Sequence, residues 1–178
     1  MFRKLSNAEL GRPGLDEYKK SKKVPVVVVL DNVRSGHNVG SAFRTCDAFR
    51  IGKVILCGIC AVPPSQEIHK TALGAEFSVE WEHCKDTVEA VRRLRQEGYV
   101  MVGVEQAENS TMLQDFNPEP GRRYAFIFGN EVSGVQQEVM DLCDMALEIP
   151  QEGTKHSLNV SVSVGVVLWD AKNKIQAI

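Results

Sequence analysis

The sequence predicts an α/β fold: a parallel sheet with helices on its faces. Three observations carry that prediction. Short runs that are apolar throughout, such as "VPVVVVL" (Val24–Leu30), alternate with amphipathic stretches at helical spacing. That is the pattern of strands buried on both faces and joined by crossover helices. Three dense polar clusters each follow a strand candidate, at the carboxyl end where open α/β sheets place ligands. The length of 178 residues, with 43% hydrophobic and 25% charged, suits one domain with a single core.

The elements follow in order. Residues 1–23 are polar and basic and read as a short helical or loose extension, with the domain proper over 24–178. Val24–Leu30 is a buried strand. Asn38–Arg50 reads as an Asn-capped helix, with Val39, Ala42, Phe43 and Cys46 at i, i+3, i+4 and i+7 and Gly52 as its stop. Lys53–Cys57 is a second strand, followed by a loop holding Pro63 and Pro64, and Phe77–Trp81 is a short third strand. Asp86 with Glu89 opens a helix carrying Val88, Val91 and Leu94 and ending at Gly98. Tyr99–Val104 and Tyr124–Phe128 are buried strands. Ser133 with Gln136 resembles a capping box for a helix with Val135, Val139 and Leu142 inward. Met145–Ile149 is a final strand. Leu158–Val164 then alternates apolar and small polar residues, which is strand periodicity.

Composition narrows the function classes. The longest apolar run is too short to span a bilayer, and "MFRKLSNAELGRPG" has no apolar core of a secretory signal. Five cysteines, an odd number, follow no disulfide framework and point to a reducing, cytoplasmic setting. The net charge of −2 neither requires nor excludes nucleic acid. Lys19, Lys20, Lys22 and Lys23 nevertheless cluster before the first strand, and Arg122 and Arg123 form a second group. Such runs are usually solvated surface, and the sharper alternative is a phosphate-binding patch.

The polar clusters are "RSGHNVGSAFR" (Arg34–Arg44), "GNEVSG" (Gly129–Gly134) and "QEGTKHSLN" (Gln151–Asn159). No G-x-G-x-x-G or G-x-x-x-x-G-K-[ST] occurs, so a dinucleotide oxidoreductase and a P-loop enzyme are disfavoured. "CGIC" (Cys57–Cys60) has C-x-x-C spacing without a second pair or a following helix, so it reads as buried strand-end cysteines rather than a metal or redox centre. Gly40 and Arg44 fall on one helical face, where the glycine leaves room for a backbone or a phosphate beside Arg44. Glu131 has a bland reading, as a complement to the positive end of the helix near Ser133.

"NVGSAFR", "FIFGNEVSG" and "LEIPQEGTKHSLNVS" resemble, in order and spacing, the three motifs of the SpoU/TrmH family of RNA 2′-O-ribose methyltransferases, and "HKTALGAE" (His69–Glu76) resembles a fourth element. The likeness runs from about Val24 to Trp169. It implies the SPOUT fold, an α/β domain whose C-terminal segment forms a deep trefoil knot, one of the rare exceptions to unknotted topology. It implies S-adenosylmethionine as cofactor and a homodimer with the active site near its interface; the scattered histidines and single C-x-x-C give no reason to expect a metal. In place of a strand at Leu158–Val164 it implies the start of the last helix, with Ser161, Ser163 and Gly165 small enough for close packing.

By the same resemblance Arg44 is the catalytic arginine and Asn38 shapes its loop. Glu131 is the acidic residue of the second motif, orienting Arg44 or its neighbours, and Ser157 and Asn159 face the target ribose. Gly129, Ile149 and Leu158 hold the adenosyl part of the cofactor. RNA is the expected partner, tRNA ahead of ribosomal RNA because the compact chain suits a small structured substrate. A knotted RNA-binding protein without catalysis is the reading of another class.

Overall fold

The computed structural model describes residues 1–176. Its order is α1 (Leu15–Lys20), β1 (Val24–Asp31), α2 (Gly36–Ala48), β2 (Ile51–Cys57), α3 (Gln66–Ala72), α4 (Ala75–Ser78), β3 (Glu80–Cys84), α5 (Thr87–Gln96), β4 (Tyr99–Val104), β5 (Thr111–Met112), β6 (Arg123–Phe128), α6 (Gln137–Met140), β7 (Met145–Glu148) and α7 (Val160–Gln176). The seven strands form one sheet in the order β3-β2-β1-β6-β4-β7-β5, and every pairing is parallel. The chain builds outward from β1 through β2 to β3. It then fills the other side of β1, so all strand ends that matter for binding point the same way.

The apolar strands reflect two cores. In β1, Val26, Val28 and Leu30 pack with α2 and α7 residues such as Phe43, Val164 and Leu168, while Val27 and Val29 pack on the opposite face with Val91 and Leu94 of α5. Side chains alternate across a strand, so a strand covered on both faces must be apolar at every position.

Several elements differ from the sequence-based expectation, each for a local reason. α2 begins at Gly36, because the Ser35 hydroxyl, not Asn38, caps it by accepting the Asn38 N–H at 3.3 Å. Phe77 lies in α4 rather than in a strand. Leu73 and Gly74 take left-handed conformations (φ 52° and 95°) that end α3 and start α4, so β3 opens only at Glu80. The capping box at Ser133 and Gln136 does not form. α6 is a single turn from Gln137, and the Gln136 side chain turns to Asp31. β5 is two residues long and left no periodic signal. The alternation of Leu158–Val164 lies partly in α7, which starts at Val160 and buries Val160, Val164, Val167, Leu168 and Ala171, a helical spacing. Within residues 1–23, α1 docks through Tyr18, which is buried and donates its hydroxyl to the Asp47 carbonyl at 3.2 Å.

Candidate active site

The loop after β6 is bent back by its own residues. Asn130 Oδ1 accepts the N–H groups of Val132 and Ser133, both at 3.0 Å, and the Asn130 and Gly134 backbones pair. The fold is tight enough that a Cβ on Gly129 would sit 1.9 Å from the Gly134 carbonyl carbon, so glycine is required there. Two carboxylates hold the loop against the sheet. Asp31, fully buried at the end of β1, accepts Gln136 N–H at 2.9 Å, Gln136 Nε2 at 2.7 Å and the Thr87 hydroxyl at 2.6 Å. Glu105, just past β4, accepts Val135 N–H at 3.1 Å. The sequence reading passed over both. Asp31 had a visible signal, a lone charge closing an otherwise apolar strand, whereas Glu105 had none beyond its place at a strand end.

The three polar clusters meet through side chains. Asn38 Nδ2 donates to Glu131 Oε1, and Asn159 Nδ2 donates to Asn38 Oδ1 at 3.1 Å. Asn159 Oδ1 accepts Ser161 N–H at 2.9 Å, so the same residue caps α7. One chain of hydrogen bonds thus joins the first turn of α2, the loop after β6 and the start of the last helix. Glu131 is thus bonded to Asn38, and no hydrogen bond joins it to Arg44.

A cavity of about 700 Å³ opens at the carboxyl ends of β4, β6 and β7. Gly129, Ile149 and Leu158 line it together with Glu131 and Ser157. Its size lies in the range of small-molecule sites, and it combines apolar walls from Phe128, Leu147 and Ile149 with polar groups from the loops. These features fit an amphipathic ligand such as an adenosyl cofactor. Gln106 Nε2 donates to the His156 carbonyl at 2.6 Å and ties the 151–159 loop over the end of β4.

Arg44 does not reach this cavity. It is exposed on a second one of about 450 Å³, beside Ser41, Thr45, Lys70, Thr71 and Gly165. The backbone that Gly40 admits belongs to α3, since a Cβ there would lie 2.3 Å from the Ile68 carbonyl oxygen. Of the lysines, Lys19 and Lys20 end α1 exposed, and Lys22 and Lys23 line a third cavity of about 750 Å³ with Arg50, Arg122 and Lys172. That cavity gathers two basic groups a hundred residues apart in sequence, although Lys23 is partly committed, lying 4.0 Å over the Tyr18 ring. Cys57 and Cys60 are buried, and burial pushes the Cys60 thiol up to about 11. Cys60 Sγ also donates to the Leu30 carbonyl at 3.2 Å. Among the described residues no group of three or more His, Cys, Asp or Glu is placed to hold a metal, and no helix is long and apolar enough to cross a membrane.

Comparison with known proteins agrees with this architecture. The profile of the SpoU rRNA Methylase family matches residues 25–169. The 23S rRNA (guanosine-2′-O-)-methyltransferase RlmB of Neisseria meningitidis serogroup B is 28% identical over 159 residues, covering 89% of this chain and 62% of the relative. The chain therefore spans under two thirds of that relative's length. The AdoMet-bound rRNA methyltransferase of Sinorhizobium meliloti superposes with a TM-score of 0.79 at 26% identity, over 88% of this chain and 59% of that one. The A. aeolicus TrmH/SpoU tRNA modifying enzyme superposes with a TM-score of 0.80 at 24% identity, over 92% and 81%. With a family match over most of its length and the family's fold, the chain belongs to the SpoU methylase family.

Proposed function

We propose that this chain catalyses methyl transfer from S-adenosylmethionine to a ribose 2′-hydroxyl of RNA, with tRNA as the substrate ahead of ribosomal RNA. The observation that carries the reading is the hydrogen-bonded chain Glu131–Asn38–Asn159, which joins the three motif clusters beside a cavity of cofactor size. Membership of the family and the names of the relatives support the chemistry. When bound, the cofactor supplies an electrophilic sulfonium methyl group. Gly129, Ile149 and Leu158 would hold it, and the loops 129–136 and 151–159 that enclose it are where the deep trefoil knot implied by the resemblance would close.

The residues divide the remaining work. The 2′-hydroxyl must lose its proton as it attacks the methyl group, and the acceptor is the phosphate beside the ribose or Arg44 itself, although a protonated guanidinium is a poor base. Its planar fork is suited to a bidentate grip on a phosphate next to the target ribose. Ser157, at the mouth of the cofactor cavity, and Asn159, fixed by Asn38, would hydrogen-bond the hydroxyl as negative charge develops on it. Because Arg44 opens on a different cavity, a homodimer completes the site. Val162, Val166 and Trp169 form an exposed apolar ridge on α7, between Ser163, which lines the cofactor cavity, and Gly165, which lines that of Arg44. Docking two copies on this ridge would set Arg44 of one protomer toward the cofactor of its partner. Lys22 and Lys23 line one cavity with Arg50 and Lys172, and with the exposed Lys19 and Lys20 at the end of α1 they are the groups that would meet the RNA backbone. The free thiols suit a cytoplasmic setting.

The test is methyl transfer from labelled S-adenosylmethionine to total tRNA and, separately, to ribosomal RNA, both from cells lacking this protein, with Arg44→Ala as control. Label recovered as a 2′-O-methyl nucleotide in tRNA is the expected result. Label in ribosomal RNA alone would reassign the substrate. Absence of label from both, with the cofactor bound, would overturn the catalytic reading in favour of a binding role.

A further inference from the structure

The Arg44 cavity and the basic cavity beside Lys22 share a wall. Ala48 and Phe49, at the end of α2, line both. On α7, Gly165 lines the first and Lys172 the second. Seven residues apart, these two lie on one face of the helix, about 10 Å along its axis. Val24 and Pro25 place the far cavity at the amino end of β1, away from the cofactor cavity at the carboxyl ends of the strands.

The charge of the joined cavities is one-sided. No carboxylate lines that of Arg44, and Glu119, the one acid in the other, is taken by Arg122 at 3.1 Å. Among the described residues Arg44, Lys70, Lys172, Arg50 and Lys22 form no ion pair. The crowding is felt at Lys23, where burial and then the Arg50 charge lower the ammonium pKa below its ordinary value. Arg50 itself is exposed on a left-handed backbone (φ 54°), a conformation that glycine takes freely and arginine only at a cost. A long cationic side chain kept on such a turn, facing unpaired cations, calls for an anion there.

We infer that the two cavities are one phosphate track: the RNA strand whose phosphate sits on Arg44 continues past Ala48 and Phe49 to Lys172, Arg50 and Lys22. This rests on the RNA methyltransferase reading and gives it a substrate length. Successive phosphates of a stacked strand lie about 3.4 Å apart along its axis, so the stretch from Gly165 to Lys172 takes about three nucleotides. With the phosphates on Arg50 and Lys22, the track grips about six consecutive phosphates on one side of the methylated nucleotide. Lys23 and Arg122, already bonded to the Tyr18 carbonyl and Glu119, complete the positive wall. Contacts of this kind set the register of the RNA and read no base.

Oligoadenylates of two, four, eight and twelve nucleotides, titrated into the full chain with S-adenosylhomocysteine present, are the probes. Affinity should rise about thirty-fold from two to eight nucleotides, three further cations at about three-fold each, and change little beyond eight. For the eight-nucleotide probe, Lys172→Gln and Lys22→Gln should each take about 0.7 from the logarithmic salt slope. Arg50→Gly separates folding from binding: it suits the left-handed turn, so thermal stability should hold while affinity falls about three-fold. Lys85→Gln, at an exposed lysine before α5, is the control and should change nothing. In methyl transfer to tRNA the three track variants should raise KM and leave kcat unchanged. Affinity that does not grow with length overturns the track, as does a salt slope unmoved by Lys172→Gln and Lys22→Gln. Length-dependent binding without methylation of any RNA would remove the enzyme and leave the track.

Discussion

The cofactor-sized cavity is lined by residues of the second and third motifs and the Arg44 cavity by residues of the first and fourth, and the two are built in different ways. The first is made by loops at the strand ends, folded tightly and fastened by Asp31 and Glu105. The second is a cleft between helices, where Gly40 lets α2 meet α3 and Arg44 stands exposed beside Lys70 and Gly165. Asn38 and Arg44 belong to one motif and one helix, yet the five residues between them carry Asn38 into the Glu131–Asn159 chain and Arg44 out to another surface. A motif contiguous in sequence can therefore serve two places, one that positions and one that reaches outward.

If that division holds, damage to the loop cavity and damage to the cleft have different signatures. The largest effect belongs to Gly129→Val. The added carbons meet the Gly134 and Val135 backbone, so the loop must unfold locally. Loss of about 3 kcal/mol of stability, read by denaturant unfolding, should accompany loss of cofactor binding. Arg44→Ala should lower kcat by about 10³-fold, the upper range for removing one charge-stabilising donor, with cofactor affinity by calorimetry unchanged. A parallel fall in cofactor affinity would erase the distinction between the cavities. Arg44→Lys should recover little activity, and near-full activity would exclude a bidentate phosphate grip.

Val166→Glu probes whether the two cavities meet across protomers. On the proposed dimer, a charge on the α7 ridge should give a monomer by sedimentation, and methyl transfer should fall by about 10²-fold because the proposed reach of Arg44 to the partner's cofactor is lost. Asn38→Ala is expected to have the smallest effect, about 1 kcal/mol in stability for one partly exposed hydrogen-bonded group. A double-mutant cycle with Asn159→Ala should show coupling of similar size, about 0.5–1 kcal/mol. Additivity would mean that the link between motifs carries no energy.

Much of this was legible beforehand. Apolar runs placed β1, β4 and β6 within a residue of their observed bounds, because a strand buried on both faces leaves no polar position to blur the signal. Asp86 caps α5 as its position implied, accepting Val88 N–H at 2.7 Å. Where helix and strand periods compete over few residues, pattern reading failed. The valines of α7 alternate with serines from Val160 to Val164, and only the packing of Val164, Val167 and Leu168 shows which period governs. The supposed box at Ser133 failed because its glutamine has a stronger acceptor, the buried Asp31, in a strand a hundred residues upstream.

By itself, then, the sequence determined the layered α/β architecture, the ends of the strands at which chemistry gathers, and the residue types gathered there. Those properties follow from local periodicity and composition, which each segment carries independently of its neighbours. Tertiary structure alone decided that Glu131 answers to Asn38, that Arg44 opens on a different cavity from Ser157, and that Glu76 is buried with an unmet oxygen. Each of these depends on the direction in which a side chain leaves its element and on what distant segment it meets there, and spacing along one segment does not encode that.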